Sequence, residues 1–320
     1  MGDKMKHQTL KLSRIMIMIL SFTLSAGISA AQSASDLESA VTTGSQFDEA
    51  QLLLDEERDA TGSATSIEGE PGIFILRKNK IFTYGAAIGT GFSDNPGRTL
   101  NSSGEDAAYA SAALTAGINT RIAQRYDAGV SFVGSLNKYD RSDAPSNSNA
   151  ILNSYVGTPV LDGALYVSAN AAAGLNMDDS FDRGTAFYQI GASVSNITRL
   201  SDSILLRPSF GIARQWAGQG EQKNVSATAS AELIWRARPK WLVRGNVAYT
   251  HRIYDDFFED VTFVERKDDA VRLGVSVARE INESINASLN FEYTDQRSSF
   301  FISEYDAIDG GLSLRLSKRF

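Results

Sequence analysis

Six charged residues fall on one phase of an alternating pattern: Arg207, Glu232, Arg244, Arg272, Glu292 and Arg315. Each sits on the polar side of a segment whose intervening residues are apolar. Opposite charges on neighbouring strands pair favourably, and a row of guanidiniums also suits a passage for an anion. Both uses stay open in the sequence. The six form either a ladder of salt bridges filling a small lumen or a basic stripe with four Arg against two Glu. Asp127 falls on the same polar phase earlier in the chain.

Catalytic combinations are scarce. The chain has no Cys and two His, His7 and His251. That excludes a thiolate nucleophile, a disulfide scaffold, an iron–sulfur cluster and a multi-His metal centre. A Ser hydrolase needs a base beside its nucleophile. His251 instead shares the apolar phase with Tyr249 and Ile253, so it reads as an interfacial ring. Asp255, Asp256, Glu259 and Asp260 cluster in one loop, as paired carboxylates for acid–base work would. Acidic loops of this kind are more often solvated, or bridged by cations to lipopolysaccharide. Asn176, Asp178, Ser180 and Asp182 alternate like calcium ligands. An EF-hand loop needs Gly and Glu where this chain has Phe181 and Phe187. No catalytic residue, cofactor or metal ligand is assigned, and the chain reads as a non-enzyme. A formal net charge of −7 argues against nucleic-acid binding, which needs clustered Lys and Arg.

The elements that carry these residues are strands. From Lys80 to the end, apolar and polar residues alternate with period two, with turn residues between the runs. The apolar rows are clear in Phe82–Tyr84–Ala86–Ile88, Val225–Ala227–Ala229–Ala231–Leu233–Trp235 and Ile285–Ala287–Leu289–Phe291–Tyr293. The opposite phases read Ser226, Thr228, Ser230, Glu232 and Asn286, Ser288, Asn290, Glu292. A fourth segment near 150–158 is weak, with Ile151 and Tyr155 sharing a face. Segments of about ten residues with this pattern suit a transmembrane β-barrel: lipid wants apolar side chains outside, and closure satisfies the backbone. Aromatics at row ends, including Phe92, Trp216, Trp235, Trp241 and Tyr249, suit the two interfacial girdles. The connections alternate. Long ones lie near 94–106, 139–149, 176–184, 217–223, 255–266 and 297–304, short ones near 122, 159–163, 199–203, 236–240 and 280–284. The fold class is therefore all-β, an antiparallel up-and-down barrel of about twelve strands over residues 80–320, with both ends periplasmic.

Residues 1–31 read as a signal peptide: Lys4, Lys6, Lys11 and Arg14, then the apolar run Ile15–Leu24, then the small residues Ser29, Ala30 and Ala31. Residues 32–79 read as a periplasmic segment with one short helix, Gln46–Glu57, capped by Ser45, and a Gly/Ser/Glu/Pro linker. Residues 45–58 are either a flexible lead-in or a docking helix for a periplasmic partner. No later run is long and apolar enough for a spanning helix.

The chain ends Leu312-x-Leu314-x-Leu316-x-Lys318-x-Phe320. A terminal Phe after alternating apolar residues resembles the assembly signal of Gram-negative outer-membrane barrels, although Lys318 departs from the usual apolar residue there. More widely, Phe82–Phe320 resembles the β-barrel porin families of Gram-negative bacteria, some of which accompany exopolysaccharide gene clusters. The segments that carry the resemblance are Tyr249–Tyr254 (YTHRIY), Glu265–Asp269 (ERKDD) and Tyr293–Phe320. It implies an outer-membrane barrel in contact with lipid and lipopolysaccharide, inserted by the barrel-assembly machinery through Phe320. It implies no catalytic residues. Three function classes follow: a channel or export conduit for a polar solute, a closed structural or partner-binding barrel, and, disfavoured by the single mature His, an outer-membrane hydrolase.

Overall fold

The structure is a computed structural model. It describes residues 82–96, 106–122, 126–141, 144, 146–161, 165–178, 184–217, 223–255, 257–259, 262–264, 266–282, 284–300 and 303–319. The expected signal peptide, the Gln46–Glu57 helix and Phe320 lie outside the described residues. Strands dominate: β1 (Phe82–Ser93), β2 (Ala107–Ile122), β3 (Tyr126–Tyr139), β4 (Asn147–Val160), β5 (Leu165–Asp178), β6 (Gly184–Ser195), β7 (Thr198–Ser201), β8 (Ile204–Ala217), β9 (Asn224–Arg238), β10 (Trp241–Tyr254), β11 (Phe257–Glu259), β12 (Thr262–Val264), β13 (Lys267–Asn282), β14 (Ile285–Ser298) and β15 (Tyr305–Arg319).

Consecutive strands pair antiparallel, and β1 closes the sheet on β15 from Thr83↔Arg319 to Ser93↔Asp309. The result is a closed barrel of twelve staves. β6 and β7 are two pieces of one stave, both paired with β8. β11 and β12 form a separate hairpin in the long connection between β10 and β13. Short and long connections alternate as the sequence indicates, so all short turns lie at the end where β1 begins and β15 finishes.

The break between β6 and β7 has a local cause. Ser195 pairs with Ser209 and Thr198 with Leu206, so Asn196 and Ile197 stand across from Pro208 and Arg207. The Asn196 amide donates to the Pro208 carbonyl at 3.1 Å. Pro208 has no N–H to complete the pair, and the ladder lapses there.

The period-two pattern decides which face is out. Ile88, Leu114, Ile190, Phe210, Leu273, Val275, Phe291 and Leu314 are exposed on the outer surface. One rim carries outward Phe82, Tyr84, Tyr126, Trp235 and Trp241, the other Phe92, Tyr188, Trp216, Tyr249 and Tyr293. From Trp241 to Tyr249 the belt is about 20 Å high, taking about 3.3 Å per residue and a tilt of about 40°. An apolar belt closed around a molecule and edged by aromatics is unfavourable in water and suited to a bilayer. Among the described residues no helix is long and apolar enough to cross a membrane.

The weak fourth segment is a full strand with its phase opposite to the apolar-row reading. Ile151 and Tyr155 do share a face, but it is the interior one: Ile151 is 4% exposed and Leu152 51%. The outer row of β4 is Ala150, Leu152, Ser154 and Val156, and Ile151 packs inside with Ala172, Phe187 and Ala217.

Candidate functional site

The inner wall is where polar chemistry gathers. All six charges singled out in the sequence take the inward phase of β8, β9, β10, β13, β14 and β15. Three of them meet. Arg207 and Glu232 are register partners, and Arg207 Nη2 donates to Glu232 Oε2. Arg244 reaches the same carboxylate from the other side, with Nη1 3.5 Å from Oε1. One carboxylate thus sits between two guanidiniums, a ladder that keeps one net positive charge.

The other three do not join it among the described contacts. Arg272 lies between Ala248 and Thr294 in the register. Glu292 faces Asp309 across β14 and β15, so two carboxylates oppose each other where sequence reasoning counted a single one. Thr294 Oγ1 donates to Glu292 at 3.5 Å. Arg315 is buried against Gly85, where an added Cβ would lie 3.5 Å from its Nε.

The wall of β2 to β6 is different. Asn137, Asn147, Asn149, Asn153, Ser168 and Gln189 face inward and are buried. Its aromatic rings lie flat. Tyr155 covers Gly129, Tyr166 covers Gly157 and Phe187 covers Gly174, each so closely that a Cβ on the glycine would collide with the ring. Elsewhere the inward phase is mostly small, as in Gly85, Ala87, Gly89 and Gly91 on β1 and Gly311, Ser313 and Ser317 on β15. For twelve staves spaced about 4.8 Å and tilted about 40°, opposite backbones of a circular barrel stand about 24 Å apart. Small residues and flat rings occupy little of that width.

A knot of buried polar groups closes the wall at the long-loop rim. Arg266 Nη2 donates to Asp268 Oδ2 at 2.6 Å and Ser298 Oγ to Asp268 Oδ1 at 2.6 Å. Gln296 Nε2 reaches the same carboxylate at 3.4 Å and the Ser303 carbonyl at 2.9 Å. The Arg266 guanidinium stacks 4.3 Å over the Tyr254 ring. These contacts tie the connections after β10 and β14 to the wall. Sequence reasoning passed over Asp268, although it is the next inward position of β13 after Ala270, two residues away.

His251 is on the outer face between Tyr249 and Ile253, as its phase indicates. Its Nδ1 lies 2.8 Å from Asp269 Oδ1, and the Tyr249 hydroxyl donates to that same oxygen. A Ser-His-Asp site needs a hydroxyl at Nε2; the described contacts of His251 run through Nδ1. Asp255 is held by both Arg214 nitrogens, and Arg214 lies over Trp216. Asp256, Asp260, Ser180 and Asp182 lie outside the described residues. Asn176, read as a loop ligand, is instead an inward residue of β5. Among the described residues no group of three or more His, Asp or Glu converges as a metal site.

No protein-family model and no curated protein matches the sequence. Solved structures do match in shape. An outer-membrane channel from Pseudomonas putida F1 is 11% identical with a TM-score of 0.55, covering 79% of this chain and 100% of that chain. The β domain of the Bordetella autotransporter BrkA is 12% identical with a TM-score of 0.44, covering 74% and 100%. The NanC porin is 8% identical with a TM-score of 0.43, covering 72% and 98%. The chain shares the β-barrel fold of that Pseudomonas outer-membrane channel.

Proposed function

We propose that the protein is an outer-membrane channel or export conduit for a polar solute. The paved inner wall carries this reading: aromatic rings that would obstruct the lumen lie on glycines instead. Small inward residues on β1 and β15 keep the rest of the circumference thin. Saccharides are the solute class that suits the lining. Amides of Asn and Gln satisfy hydroxyls, and flat Tyr rings offer an apolar face to a sugar. The arginines of β8, β10, β13 and β15 add positive charge on the other side. The outer belt suits lipid and lipopolysaccharide, and Phe320 serves as the terminal signal to the assembly machinery.

The test is conductance in planar bilayers of the refolded protein, with liposome swelling on oligosaccharides as a second readout. Discrete unitary currents and sugar-dependent swelling are expected. Silence under every ionic condition would remove the channel reading and leave a closed barrel, which the burial of Arg244 and Arg315 favours. Phospholipid and peptide hydrolysis assays on the same preparation are expected to show no turnover.

A further inference from the structure

Two inward rows meet where β14, β15, β1 and β2 lie side by side. The upper row is Glu292, Asp309, Ser93 and Ala107, each the register partner of the next. The lower row, one step toward the short-turn end, is Asn290, Gly311, Gly91 and Tyr109. The two glycines leave the Tyr109 ring free to lie across both staves. A Cβ built on Gly91 would stand 2.6 Å from its hydroxyl, and one built on Gly311 2.8 Å. Glu292, Asp309, Asn290 and Tyr109 line one hollow of about 30 Å³, enough for a water-sized ion.

The groups gathered here are acceptors. Glu292 and Asp309 are directly opposed carboxylates. Asn290 Oδ1 is buried and accepts no hydrogen bond. Ser93, beside Asp309, is 1% exposed, and its Oγ is buried without a partner. Among the described contacts the donor to Glu292 is Thr294 Oγ1, at 3.5 Å. Glu232, by contrast, lies between two guanidiniums. Arg272 stands across from Thr294 in the register, and Gly274 across from Glu292.

Like charges directly opposite one another are unfavourable, and so is a buried oxygen that no donor reaches. A cation in the hollow relieves both. Donors that are all oxygen select a hard cation. Calcium takes about six to eight oxygens in flexible geometry, whereas magnesium demands a near-ideal octahedron. Side chains drawn from neighbouring staves of a curved wall suit the former. The set has two carboxylates completed by neutral oxygens, fewer acids than a three-acid cluster would bring. The affinity expected is therefore that of extracellular calcium modules, about 10⁻⁴–10⁻³ M.

We propose that Glu292, Asp309 and Asn290 hold a calcium ion on the inner wall, with the Tyr109 hydroxyl and water completing its shell. The ion ties β14 to β15 beside the seam where β15 closes on β1. The site stands whether or not the barrel conducts.

The full mature chain is refolded into non-ionic detergent, stripped of metal with a chelator, and titrated with calcium chloride or, separately, terbium chloride. Calcium at a roughly hundredfold excess over Kd should raise the heat-modifiability midpoint by about 5 °C or more. Terbium emission excited through tyrosine should appear, and Tyr109→Phe should dim it at least about twofold. In chelator Glu292→Gln should be at least as stable as the unaltered chain, because the repulsion is gone. With calcium it should show no midpoint gain and bind at least about tenfold more weakly. Asp309→Asn should behave alike; if it fails to fold, Glu292→Gln decides. Asp306→Asn is the control. It lies on the outer face opposite Asp295, whose charge Arg297 already pairs, and both readouts should be unchanged. A folded, unaltered chain with no calcium gain would overturn the proposal, since a shared proton or Arg272 then balances the pair. A gain kept in Glu292→Gln, a gain lost equally in Asp306→Asn, or a larger gain with magnesium would overturn it as well.

Discussion

Glu232 and Glu292 occupy similar inward positions and have opposite neighbours. Glu232 lies between Arg207 and Arg244. Neutralising it in Glu232→Gln leaves two guanidiniums facing each other, at a cost of about 3–5 kcal/mol in a dry interior and less where water enters. Glu292 faces Asp309. Glu292→Gln removes a repulsion between directly opposed like charges, worth up to about 1 kcal/mol. Denaturant or heat-modifiability midpoints should therefore fall for the first variant and hold or rise for the second. Equal losses would contradict the pairing described. The same reasoning separates ladder from stripe. The sequence treated the four arginines as equivalent, whereas Arg207 and Arg244 share a carboxylate and Arg272 and Arg315 lie on other staves. A shift of reversal potential toward cations is accordingly expected from Arg272→Gln in a conducting barrel.

At the scale of strands, the glycines of β3, β4 and β5 make room for rings on the next stave. Phe187 lies on Gly174 and packs with Ile151, Ala172 and Ala217, leaving it 1% exposed. In Gly174→Ala the new methyl occupies that place and the ring must turn toward the lumen. Such overpacking costs about 1–3 kcal/mol. The expected result is a lower midpoint together with a smaller unitary conductance, since the displaced ring narrows the passage. A variant that loses stability but conducts as before would show that the wall's paving has no bearing on flow.

The whole molecule is governed by which face meets lipid. Leu273 is outward and exposed near the middle of β13, and Ser276 is inward three residues on. Leu273→Arg places a charge at mid-belt, costing about 2–4 kcal/mol, whereas Ser276→Glu faces the lumen opposite Arg244 and costs far less. Yield of heat-modifiable barrel from refolding into bilayers should drop sharply for the first and little for the second. Closure makes a further demand, because β15, the last stave in the sequence, must pair with β1, the first. Deleting Phe320 should lower outer-membrane levels and leave protease-sensitive periplasmic material. Normal amounts of embedded, heat-modifiable protein in that deletion would rule out the terminal signal.

Alternation is a local property, so it was readable without a structure. Ile285–Ala287–Leu289–Phe291–Tyr293 announces both a strand and its lipid face, and the spacing of such rows yields twelve staves and two classes of connection. Local reading failed where a strand is mixed on both faces. In β4 the interior carries Ile151 and Tyr155 while the outer row carries Ser154, so hydropathy alone cannot assign the sides. The register did: Ile151 pairs with Val133 and Gly174, placing it among inward neighbours. Pairing of charges was equally out of reach. Glu232 finds Arg207 directly and Arg244 diagonally, and Glu292 meets Asp309 rather than an arginine. One residue of stagger would change each of those partners. That stagger is set by twelve strands tilting together to close a ring, a constraint that no single segment contains.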